Sequence, residues 1–114
     1  MTWLEIISIR TAGINEARKV LKICSQILGS ISVEKLLKGT VFSNVRYATD
    51  ISIHLHWKTN PGYGSILGSE VSSAIEDLGL INHSLWVEQE EAVTGAASEP
   101  ASSKAASGMA TPCR

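Results

Sequence analysis

Two histidines offer the most chemistry in the chain, His54 and His56 in the stretch DISIHLHW. Residues two apart on a strand project to one face, with Cβ atoms about 6.5–7 Å apart, so both imidazoles can reach one divalent metal. Asp50 falls on the same face and can orient or supplement them. A metal takes three or four ligands, and the residues that follow, Trp57-Lys58-Thr59-Asn60, bring no acidic partner. The His54/His56 pair is therefore the only metal option, and no resident cofactor is expected. Two other uses stay open: contact or acid–base work on an organic ligand, and plain packing on a half-solvated sheet face. His83 belongs to the same set. With strands in the order 4-1-3-2 it lies one strand away from His54, a lateral gap of roughly 9.6 Å. That is too far to share a ligand atom and close enough to line one pocket. Trp57 ends its strand just before a turn, where a pocket mouth can open. The candidate pocket is thus His54, His56, Trp57 and His83, with no catalytic residue assigned.

Other reactive types have plainer readings. Trp3, Trp57 and Trp86 bury large areas, as core or interface residues or as walls of an aromatic-lined cavity. Cys24 sits among apolar residues, where burial raises a thiol's pKa and makes it a poor nucleophile. Ser65 and Ser69 suit the start of a helix better than nucleophilic attack. Gly62-Tyr63-Gly64 lacks the spacing of a phosphate loop. An RNA-binding sheet needs aromatic residues on the open face of both central strands, for which His54 and His56 are a weak substitute.

The elements that must position these residues are legible from periodicity. Residues 3–10 read as a strand, apolar on both faces, with Leu4 and Ile6 opposite Trp3, Ile7 and Ile9. From Ile14 to Leu28 the positions Ala17, Val20, Leu21, Cys24, Ile27 and Leu28 recur at helical spacing, with Asn15 as cap and Gly29 as stop. Ser30 to Gly39 fits a short helical turn or a covering loop. Thr40–Tyr47 and Asp50–Lys58 read as a hairpin around Ala48-Thr49. Asn60-Pro61-Gly62-Tyr63-Gly64 is a turn. Leu67, Val71, Ala74, Ile75 and Leu78 mark a second helix, closed by Gly79. Leu80–Glu88 is a last strand, with Ile81, His83, Leu85 and Val87 on one side. The order β-α-β-β-α-β predicts an α+β, ferredoxin-like fold, a four-stranded antiparallel sheet with two helices on one face. The uncovered face holds too much Ile, Leu and Trp for water and too many His and Ser for a dry core. A second copy packing over it, leaving a polar pocket, reconciles the two and predicts a homodimer.

Composition sets the limits. The 114 residues carry 10 basic and 11 acidic side chains, 44% hydrophobic residues and 18% charged ones. That profile fits a globular domain and lacks the cationic surplus of a nucleic-acid binder. The N-terminal run has an acidic Glu5 and no preceding basic residue, the wrong polarity for a secretory signal, and no segment spans a bilayer. With two cysteines 89 positions apart, a reducing cytoplasmic setting is expected and no membrane partner. Residues 91–114 contain 17 Ala, Ser, Gly, Thr or Pro among 24, too little apolar area to offset ordering, so a disordered tail follows a domain at 1–90.

This element order, with the stretch DISIHLHWKTNPGYGSILGSEVSSAIEDLG, resembles the dimeric α+β barrel superfamily, and within it the antibiotic-biosynthesis-monooxygenase-like proteins. The resemblance spans residues 2–90. It implies paired sheets and, among other activities, cofactor-independent oxygenation; no family catalytic signature is matched residue by residue. The first functional expectation is a homodimer with a small-molecule pocket at the sheet. The alternative is a cofactor-independent monooxygenase-like enzyme acting on an aromatic substrate. A third is a regulatory ligand-binding module of the ACT type, whose loop after the first strand is faintly echoed by Thr11-Ala12-Gly13.

Overall fold

The computed structural model describes residues 1–90; the expected tail at 91–114 lies outside the described residues. In chain order the elements are β1 (Trp3–Thr11), α1 (Ile14–Ser30), β2 (Leu36–Ser43), β3 (Asp50–Trp57), α2 (Ile66–Ile75), a 3-10 turn (Glu76–Leu78) and β4 (Gly79–Val87). The strands form one antiparallel sheet in the order β2-β3-β1-β4. This is the expected ferredoxin-like arrangement. Among the described residues no helix is long and apolar enough to cross a membrane.

Strand alternation decides the core. On β3, Ile51, Ile53, Leu55 and Trp57 are buried while Asp50, Ser52, His54 and His56 stay partly accessible. Ile7 and Ile9 of β1 join the buried side and meet Ala17, Val20 and Cys24 of α1 and Leu67, Val71 and Ile75 of α2. Each fully buried aliphatic side chain stabilises the fold by about 1.5–3 kcal/mol relative to exposure.

Several boundaries differ from the sequence expectation for identifiable reasons. Helix α1 starts after Gly13, not Asn15, and no side chain caps it. Thr11 Oγ1 instead donates to the carbonyls of Thr49 and Gly13, tying the end of β1 to the neighbouring loop. Gly29 does not stop α1, which runs through it to Ser30. The segment left open between helix and hairpin contributes the first half of β2, starting at Leu36. The hairpin then turns over residues 44–49, wider than Ala48-Thr49. The Asn44 side chain accepts from the amides of Arg46 and Tyr47 at 2.8 and 2.9 Å, a local turn that replaces the missing Gly. Gly79 opens β4 in an extended conformation, and its role is close approach: a Cβ there would meet the Arg10 carbonyl of β1. Gly79→Ala should therefore separate the start of β4 from the end of β1. A loss of about 1–3 kcal/mol is expected in urea unfolding, the usual cost of overpacking.

Candidate functional site

A fully buried carboxylate breaks the apolar pattern of the covered sheet face. Glu5 projects between the sheet and α2 with 0% exposure. Its sheet neighbours, Leu55 and Leu85, offer its carboxylate nothing. The partners come from one row further along, where diagonal neighbours on adjacent strands lie within reach of aromatic side chains. Trp57, next row on β3, donates Nε1–H to Glu5 Oε1 at 2.9 Å. His83, next row in the other direction on β4, meets Oε2 through Nε2 at 2.7 Å. The start of α2 supplies the rest: Ser65 donates its hydroxyl to Oε1 at 2.7 Å and its amide to Oε2 at 3.1 Å.

The local sequence is suited to this. Ser65 is the N-cap of α2, and its Oγ also accepts from the Gly68 amide at 2.8 Å. A carboxylate at that end further complements the helix dipole. Gly68 lies against the Glu5 carboxylate, in space a Cβ would take. Gly64, with φ +152°, passes the His83 ring so closely that a Cβ would fall 2.8 Å from its Cε1. Both glycines are required here, one for approach and one also for backbone conformation.

Burial by itself raises the Glu5 pKa. The hydrogen bonds from Ser65, Trp57 and His83 outweigh it and hold the carboxyl below its ordinary value of 4.5. Glu5 is then an anion, and His83 Nε2 must carry the proton between them. Nδ1 is left as the second ring nitrogen, without a partner among the described residues. The His83 side chain is 31% accessible. A buried carboxylate that fixes the tautomer of a partly exposed imidazole is a geometry for accepting a proton. At the β4 edge a separate cleft of about 200 Å³, which His83 does not line, is bounded by Trp3, Leu85, Trp86, Val87 and the loop residues Asn60 and Pro61.

The sheet divides the four residues expected to share one pocket. Trp57 and His83 lie on the helix-covered side, where both bind Glu5. His54 and His56 lie on the open side, their ring centroids 6.5 Å apart. His83 is level with Ile7, which also faces Ile53, so alternation alone turns it away from His54. Burial lowers the pKa of His54, as does the neighbouring His56; burial and Lys38 lower that of His56. His54 Nε2 shares a 2.8 Å hydrogen bond with Ser52. Among the described residues no cluster of three His, Cys, Asp or Glu gathers to hold a metal. Burial pushes the Cys24 thiol up to about 11, which keeps it protonated and unreactive. Glu5 itself was not singled out from sequence. The available signal was an acidic residue in phase with Ile7 and Ile9.

No family model and no curated protein matches the chain in sequence. Solved structures do match. A conserved protein from Methanosarcina mazei superposes with a TM-score of 0.64 at 7% identity, covering 78% of this chain and 94% of its own. SnoaB, a cofactor-independent oxygenase from Streptomyces nogalater, gives 0.59 at 9% identity, covering 79% and 95%. The ActVA-Orf6 monooxygenase of Streptomyces coelicolor, solved with nanaomycin D, gives 0.60 at 12% identity, covering 81% and 91%. The chain shares the ferredoxin-like fold of these proteins. At these identities the match establishes that fold, not an activity.

Glu5→Gln keeps the shape but presents an amide N–H₂ to groups that donate. A loss of about 2–4 kcal/mol is expected in urea unfolding at neutral pH. Because the folded pKa of Glu5 is lowered, its contribution is fully present above the unfolded value and is lost as pH falls through the folded one. As pH falls below the ordinary carboxyl value of 4.5, the wild type should lose more stability than the Gln variant. Parallel losses would show that Glu5 is not an ionised acceptor.

Proposed function

We propose that the protein is a small enzyme in which His83, oriented by Glu5, removes a proton from a weakly acidic aromatic substrate. The observation that carries this reading is the 2.7 Å contact from His83 Nε2 to a buried carboxylate, which leaves Nδ1 as the acceptor. Trp57 and Ser65 hold the carboxylate and do not meet the substrate. The fold shared with SnoaB and ActVA-Orf6 supports a cofactor-independent oxygenation. A phenol with a free para position would give its O–H proton to Nδ1. The phenolate would then form a C–O bond to dioxygen at the para carbon, and the proton would return to the new hydroperoxide. Loss of water leaves the quinone, so phenol and dioxygen become quinone and water.

The same reading takes the protein as a homodimer paired through its open sheet faces. Support comes from Phe42 and Trp86, 48% and 59% exposed, beside half-buried Leu4 and Ile6 on a face with few charges. Light scattering should give twice the chain mass at micromolar concentration; a monomer removes this part of the reading.

Oxygen uptake with a panel of monocyclic phenols tests the chemistry. His83→Gln should lower kcat by about 10²–10⁴-fold with the fold intact, the usual contribution of a general base. Undiminished turnover in that variant, or no uptake by the wild type with any phenol, would overturn the assignment.

A further inference from the structure

The open face of the sheet is not uniform, and its register shows where it is hollow. Four rows of side chains cross it. Lys38, His56, Leu4 and Trp86 form the first, and Thr40, His54, Ile6 and Ser84 the second. Phe42, Ser52, Ser8 and Asn82 form the third, and Asp50, Arg10 and Leu80 the last. In the third row both central strands present only a serine, while both edge strands present a larger side chain. The two serines make a low floor. Phe42 and Asn82 stand as side walls, His54 closes one end, and the Arg10–Asp50 pair closes the other.

The hollow over this floor measures about 610 Å³, within the range of about 300–1,000 Å³ that organic ligands occupy. It lies across the sheet from His83 and does not include Trp57 or His56.

The lining defines a chemistry. The Phe42 and His54 rings lie with centroids 4.7 Å apart at 57°, an aromatic corner against which a flat ring can pack. The Ser8 hydroxyl donates to the Asn82 carbonyl at 3.4 Å and the Ser52 hydroxyl shares a 2.8 Å bond with His54 Nε2, so the floor offers their remaining lone pairs to a ligand O–H, and the Asn82 side-chain amide adds a donor and an acceptor. Arg10 Nε lies 3.4 Å from Asp50 Oδ1, so the charges at that end offset each other and select neither anion nor cation. We propose that this trough is a second binding site, which takes an uncharged planar aromatic of one or two rings bearing a hydroxyl group. It holds a ligand and performs no reaction on it. The proposal needs neither the base assigned to His83 nor a dimer, although a second copy over this face would enclose the bound ligand.

The full chain is titrated with 2-naphthol, an uncharged bicyclic phenol, followed by the probe's own fluorescence. Saturable binding that depends on the trough residues is expected for the wild type. Ser8→Val with Ser52→Val raises the floor with residues that favour strands, and should weaken binding about tenfold or more. Phe42→Ala removes an exposed wall without touching the core and should weaken it similarly. His83→Gln should bind as the wild type does. Absence of saturable binding, or equal affinity in the raised-floor and Phe42→Ala variants, overturns the proposal. Binding lost in His83→Gln but kept in the trough variants also overturns it, by moving the ligand to the other side of the sheet. Light scattering on the same samples reports the dimer separately.

Discussion

A single buried carboxylate constrains this fold more than any apolar contact does. Glu5 is fully shielded from solvent, and a lone ionised carboxylate in such surroundings costs several kcal/mol. It is tolerated because β3, β4 and the α2 N-terminus each bring a donor to it. The requirement also works in reverse. Unless Trp57, Ser65 and His83 arrive together the charge is stranded, so the register of both neighbouring strands and the seating of α2 depend on one another. Gly64 and Gly68 follow from it, because any side chain there would displace the His83 ring or the carboxylate. The oriented imidazole is then a product of packing as much as of chemistry.

The sheet separates two environments with different physics. On the helix side, N–H and O–H donors meet a buried carboxylate, where hydrogen bonds to charge are strong and geometry is tightly held. On the open side the polar groups are small and neutral, and the Arg10–Asp50 pair is largely exposed and contributes little to stability. That face is shaped by which side chains are absent. Two serines at its centre leave a depression that the flanking strands wall in.

Most of the architecture was legible in the sequence. Alternation on DISIHLHW assigned the two faces of β3, and the 3.6-residue spacing from Ala17 to Leu28 identified α1. The turn signal at 60–64 and the cap at Ser65 fell where expected. Boundaries were less legible where the local signal lay in a side-chain contact. Asn44 turns the hairpin by hydrogen-bonding its own backbone, and Thr11 anchors the loop before α1 by reaching Thr49. Neither contact leaves a periodic trace in the chain.

The sequence by itself determined the element order, the core face of β3, and the placing of His54 and His56 on one side. These follow from periods of 2 and 3.6, which are local properties of a chain. It could not decide which reactive residues meet. Glu5, Trp57, Ser65 and His83 lie up to 78 positions apart, and their meeting depends on strand register and on the seat of α2. Read along the chain, the three histidines suggested one pocket. Tertiary structure placed His83 across the sheet and gave it a carboxylate, because alternation on β4 is phased by its pairing with β1 and not by the position of His54.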